Sequence, residues 1–259
     1  MIIPAINLIK ARSRRGFTLV EVVVSLGVLM AVLAIVCEQI ASMQKMSASE
    51  AAKLDITQQT REFLNQTARD LHMSGYPAPS MFTCDPGTSP CSGSQPALNN
   101  PYVAAGLVSV SPTQIIMEGD VNGDGQVYSV AFTFVAADPN DPNCPCVRRA
   151  AIAKSAAFPW AQPAAGPSSY TEATHLVPPG TGPAQSGQDI FEFLDRTGNP
   201  VDISSGNTAD PSAGSGQGPA NLAKIAAIKI NLTLTTPQKD PVTGQPVTVA
   251  LSALARPRQ

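Results

Sequence analysis

Residues 17–37, FTLVEVVVSLGVLMAVLAIVC, form an apolar run whose only charge is Glu21. Read as a helix, such a run matches the hydrocarbon core of a bilayer, which takes about 20 residues at 1.5 Å each. Residues 1–16 hold Lys10, Arg12, Arg14 and Arg15 and no acid. Basic residues ahead of an apolar run are a targeting pattern rather than part of a fold. The positive-inside rule puts them in the cytoplasm and everything after Cys37 across the membrane.

Three ordinary export readings fit poorly. A secretory signal needs a small-residue cleavage site after the run, and none precedes Glu50. Ser13-Arg14-Arg15-Gly16-Phe17 opens like a twin-arginine signal, but the run behind it is too long and too apolar. A lipoprotein anchor at Cys37 needs a small residue before the cysteine, where Val36 stands. Glu21 asks for its own explanation, because a carboxylate in a membrane helix costs about 2.5–3.5 kcal/mol. Cleavage between Gly16 and Phe17 would create an α-amino group at Phe17. A neighbouring copy could then present that amine to Glu21, and the two charges would neutralise each other in low dielectric.

Arg15-Gly16-Phe17-Thr18-Leu19-Val20-Glu21 and the apolar run resemble the class III signal of type IV prepilins and pseudopilins. The resemblance implies that a prepilin peptidase cuts after Gly16 and methylates Phe17. It implies that Glu21, the acidic fifth mature residue, serves filament assembly. The implied partners are the peptidase, other major or minor pilins or pseudopilins, and an inner-membrane assembly platform. The implied location is the inner membrane, single-pass, with the amino terminus cytoplasmic and the carboxyl domain periplasmic, and then a pilus or pseudopilus at the cell surface. The plain alternative is a membrane anchor with one stray acid.

The expected organisation is a cleaved leader (1–16), a transmembrane polymerisation helix (17–37), a soluble half of the same helix (38–75) and a β-rich domain (76–259). Ile40, Met43, Leu54, Phe63, Leu64 and Leu71 recur at roughly helical spacing, and no proline interrupts 17–76. Gly75-Tyr76-Pro77 is a stop signal, with Gly just past the helix and Pro beyond. From residue 76 the pattern changes to short β-branched or alternating runs at 106–110, 114–118, 127–135, 147–153, 189–194, 224–235 and 247–251. Turn residues separate them. The stretches 159–187 and 204–220 are rich in Pro, Gly, Ser and Ala and read as surface loops. The fold class is therefore α+β, pilin-like, with one long N-terminal helix packed on an antiparallel sheet.

This layout resembles minor pilins of the PilW type, with a related layout in the secretion pseudopilin GspJ. The turn 119–125, the segment Phe191-Glu192-Phe193-Leu194-Asp195 and the following Gly198-Asn199 add to the likeness.

Asp120, Asn122 and Asp124, with Gly125 at the sixth position, open like a calcium loop that turns three oxygens toward one centre. The twelfth position, where a bidentate Glu would stand, is Ala131. A polar β-turn built on Asn-Gly and Asp-Gly is the competing reading. Cys84, Cys91, Cys144 and Cys146 follow the membrane run, an even number in an oxidising compartment, and suggest two disulfides of open connectivity. A four-cysteine zinc site is the alternative, with poor spacing at Cys144-Pro145-Cys146. A formal charge of −2 argues against a nucleic-acid surface. With two histidines and no nucleophile, P-loop or zincin motif, no catalytic centre is expected.

The sequence thus points to a non-enzymatic minor pilin-like subunit that helps assemble or prime type IV pili. A GspJ-like type II secretion pseudopilin and an adhesive module at a pilus tip are the alternatives.

Overall fold

The computed structural model describes residues 16–84, 86, 95–155, 169–179, 189–203, 221–240 and 243–258. Helix α1, Leu19–Met73, comprises 55 residues. The chain divides into a unit ending at Ala48 and a unit from Ser49 to the carboxyl end.

In the first unit every described residue from Gly16 to Ala48 is exposed. The apolar window in this part of α1 is long and apolar enough to cross a membrane, and none of it is buried within the chain. Leu19, Val23, Met30 and Ile35 are each at least 60% exposed, so their transfer from water depends on something outside the chain.

In the second unit one face of α1 enters a core. Ser49, Ile56, Thr60, Phe63, Leu64, Thr67, Asp70 and Leu71 are buried at three-, four- and seven-residue intervals. Ile40, Met43 and Leu54, part of the expected periodic face, are exposed instead. Packing starts only at Ser49, and its stripe runs through Ile56 and Phe63 rather than Leu54.

Five strands form an antiparallel meander in chain order: β1 (Gly106–Ser111), β2 (Gln114–Gly119), β3 (Tyr128–Val135), β4 (Cys146–Ala153) and β5 (Ser169–Ala173). A second antiparallel sheet has the order β6 (Phe191–Leu194), β7 (Ala227–Lys239), β8 (Pro246–Ala255). The segment after β5 joins the sheets: Val177 donates its amide to Thr233 (2.7 Å), and Thr235 to His175 (2.9 Å). Ile115, Met117, Val130 and Phe132 of the first sheet and Ile228, Ile230, Leu232 and Leu234 of the second share one apolar core with Phe63 and Leu71 of α1. Each such side chain contributes about 1.5–3 kcal/mol on burial. Phe63 and Phe132 meet edge to face, with centroids 6.2 Å apart.

The architecture is α+β, one long N-terminal helix packed on antiparallel sheets. Three details differ from the sequence expectation. The strands divide into two sheets. β5 lies inside the Pro- and Gly-rich stretch read as loop, where Tyr170 and Thr171 suit an edge strand and β4 supplies the pairing. β7 begins at Ala227, because Leu222–Lys224 closes a 3₁₀ turn. The stretch 204–220 lies outside the described residues.

The helix end is locked onto β2. Gly75 has φ +77° and donates its amide to Glu118 O at 2.9 Å. A side chain on Gly119 would collide with the Met73 carbonyl oxygen, so that close approach requires glycine. Arg258 returns past β8 to place its guanidinium 5.4 Å over the Tyr76 ring.

Candidate functional site

The amino-terminal segment is built almost without tertiary constraint. A Cβ on Gly16 would meet nothing within 4 Å, and Phe17 is 78% exposed. Among the described residues, nothing in the packing requires glycine at 16 or an aromatic at 17. Thr18 caps α1: the Glu21 amide donates to Thr18 O (3.0 Å) and to Thr18 Oγ1 (3.3 Å). Thr18-Leu19-Val20-Glu21 is thus the T-x-x-E capping sequence, a signal available in the sequence that the reading of Glu21 as an assembly residue passes over. A first-turn carboxylate also favours the positive end of the helix dipole. The place of its carboxylate in the first turn is thus a local reason for Glu21 that does not depend on assembly.

The Asp120 loop lies between β2 and β3. Asp120 Oδ1 accepts the amides of Gly123 (2.8 Å) and Asp124 (3.1 Å), and Oδ2 accepts that of Gly125 (3.0 Å). Asp124 accepts from the Gln126 amide (2.8 Å) and the Tyr128 hydroxyl (2.9 Å). These contacts hold the exposed Asp124 carboxyl below its ordinary pKa, the Gln126 amide contributing most. Gly123 and Gly125 take positive φ, which the turn needs. Ala131, at the twelfth position, is buried in β3 and offers no ligand. The carboxylates close the loop on its own amides, which fits a polar turn and needs no cation to hold its shape.

Cys144 and Cys146 are bonded to each other, with Cα atoms 4.3 Å apart. That bond is incompatible with a zinc site using all four cysteines. Cys84 is also disulfide-bonded. Cys91 lies outside the described residues. Beside the Cys144–Cys146 bridge, Arg148 pairs with Asp138 (2.6 Å) and Asp141 (3.3 Å), fixing the turn that leads into β4.

Two ion pairs, one partly and one fully buried, had no signal in the sequence. Arg149 on β4 reaches Asp70 on α1 at 2.7 Å. Lys154, just past β4, reaches Glu118 on β2 at 2.7 Å. Burial outweighs these partners: it pushes the Asp70 and Glu118 carboxyls up and the Lys154 ammonium down.

Residues 11–36 match the family model described as the prokaryotic N-terminal methylation motif. The chain carries a prepilin-type methylation motif. The match spans Arg12, Arg14 and Arg15, the Gly16-Phe17 pair, Glu21 and most of the apolar run. It supports a type IV pilin- or pseudopilin-like protein that is processed by prepilin peptidase and anchored in a membrane by its apolar helix. The methylation motif ends at residue 36 and carries no finer assignment to the PilW type. Neither the curated proteins nor the solved structures give a match to the chain.

Proposed function

We propose that this chain is a minor pilin-type subunit that takes part in assembling a type IV filament. The observation that carries this reading is the apolar surface of α1 before Ser49, exposed throughout and beginning within the methylation motif. In the membrane, lipid covers that surface. In a filament, the helices of neighbouring subunits cover it, so polymerisation exchanges one apolar environment for another. Transfer between them is inexpensive because lipid tails are as apolar as the side chains.

Gly16 is the last leader residue and Phe17 the methylated first residue of the mature chain. Glu21 pairs with the amino terminus of an adjacent subunit. The β-rich unit then lies on the far side of the membrane, where the Cys144–Cys146 bond is stable.

The test is a count of surface filaments after clean deletion, with complementation by the wild-type chain. Filaments that vanish and return support the proposal. An unchanged filament number overturns it and moves the secretion pseudopilin ahead, in which case exported proteins should fall.

A further inference from the structure

Among the described residues β8 is the outer strand of the second sheet and pairs with β7 on one side only. Its residues read PVTVALSALA, with no charge and with proline only at the first position. From 248 to 255 its register against β7 is unbroken. Edge strands of this length are ordinarily protected by lysines, inward charges, bulges or internal prolines, because their unpaired amides and carbonyls recruit further strands. β8 has none of these over 248–255.

Its core-facing row is also incompletely covered. On β7 the inward Ile228, Ile230, Leu232 and Leu234 are buried. Their cross-strand neighbours on β8, Val249, Leu251 and Ala253, are only half-buried. The opposite row, with Thr248, Ala250, Ser252 and Leu254, is exposed. The other outer strands of the described residues differ. β1 is buried along most of its length, β5 has five residues and carries Glu172, and β6 has four and carries Glu192.

We propose that β8 is a strand-addition interface for an uncharged extended segment of a different pilin-type subunit anchored in the same membrane. The proposal rests on the assembly reading above. Backbone valence along β8 calls for an extended strand. The half-covered row at Val249, Leu251 and Ala253 calls for apolar residues at alternate positions on the incoming strand's inner face. Arg256, exposed directly after β8, favours an acidic residue just beyond the matching end of that strand.

A second copy fits less well. Antiparallel pairing of β8 with itself runs residues 49–73 of α1, which share the core of the same unit, in opposite directions in the two copies. Subunits added one after another to a single filament keep one direction. Parallel self-pairing keeps the direction but puts the two half-covered rows on opposite faces of the joined sheet. Head-to-tail pairing needs a second long, uncharged edge, and β1, β5 and β6 do not supply one.

The experiment places a photo-crosslinking amino acid at Ala250 or Ser252, both exposed, in the full chain in its native cells. Adducts are mapped by mass spectrometry, and leader cleavage is scored on the same sample. The expected result is an adduct from both positions to an uncharged, strand-forming segment of another subunit bearing the methylation motif. Ser252→Lys, which adds a charge to the edge, should reduce the adduct formed from position 250 by about tenfold without altering leader cleavage. A cleaved chain that gives no adduct, only lipid adducts, or only adducts to a second copy overturns the interface. An uncleaved chain overturns the assembly reading itself, and the co-anchored partner with it.

Discussion

Lys154 Nζ lies 2.7 Å from Glu118 Oε2, with both side chains removed from solvent. The ammonium also donates to the carbonyls of Leu98 and Val103, and Glu118 accepts the Ala105 amide at 3.0 Å. One buried pair thereby ties residues 98–105 to β2 and to the end of β4. Desolvating both charges offsets most of their attraction, so the pair stabilises little in net terms, whereas breaking it leaves a lone buried charge. Lys154→Met should cost about 3–5 kcal/mol. The double variant Lys154→Met with Glu118→Leu should be closer to wild type than either single change. Chemical denaturation of the full chain in detergent measures both. A double variant as unstable as the sum of the singles would contradict this account.

Asp70 gives a pH signature of known sign. Burial lifts its carboxyl above 3.8, despite the Arg149 and Gln66 contacts that lower it. Above pH 3.8 the folded chain therefore keeps a proton that the unfolded chain has released. The unfolded state binds fewer protons, so stability falls as pH rises from 3.8 to the raised value and then levels. Glu118 acts in the same sense, so the comparison must isolate Asp70. Asp70→Asn removes its share of the slope. Melting temperatures of both proteins, followed upward from pH 3.8, should converge at the acid end and separate above it. A constant difference would refute the assignment.

Gly16 and Glu21 separate processing from assembly. Since a Cβ at Gly16 meets nothing among the described residues, Gly16→Leu should leave the circular dichroism spectrum unchanged and still block removal of the leader. Normal cleavage of that variant would disprove the assigned junction. At Glu21 the decisive change is Glu21→Gln. Glutamine serves a T-x-x-E/Q cap as glutamate does, so helix content should be retained. If the charge pairs with a neighbouring amino terminus, incorporation into filaments should still fall. Incorporation equal to wild type would reduce Glu21 to a capping residue.

Much of this molecule was legible because its strongest signals are local. The apolar run, the methylation motif around Gly16-Phe17 and the helix stop at Gly75 each state their meaning within a few residues. β2, β3 and β7 carry side-chain patterns of period two or continuous β-branched runs. What escaped depends on distant partners. Asp70 meets Arg149 79 residues away, and no spacing rule connects them. β5 is a strand only because β4 pairs with it, and its neighbouring prolines and glycines argue for loop. The shift of the buried face of α1 from Leu54 to Ile56 depends on where the sheets begin to cover the helix, which helical periodicity does not contain.

The Asp120 loop separates two meanings of one motif. Its spacing suggests calcium, and its hydrogen bonds supply another reason for the same residues. Asp120 Oδ1 already accepts two amides and Oδ2 a third, while Asp124 is held by Gln126 and Tyr128. A calcium ion would stabilise the folded chain by about 2.7 kcal/mol at a hundred times its dissociation constant, a shift easily seen in a melt. The expected result is no shift in melting temperature on adding millimolar calcium to the full chain in detergent. Asp120→Ala should still destabilise, because it leaves three loop amides without their acceptor, each worth about 0.5–1.5 kcal/mol where water does not replace it. A calcium-dependent rise in melting temperature, lost in Asp120→Ala, would make the loop a metal site rather than a turn.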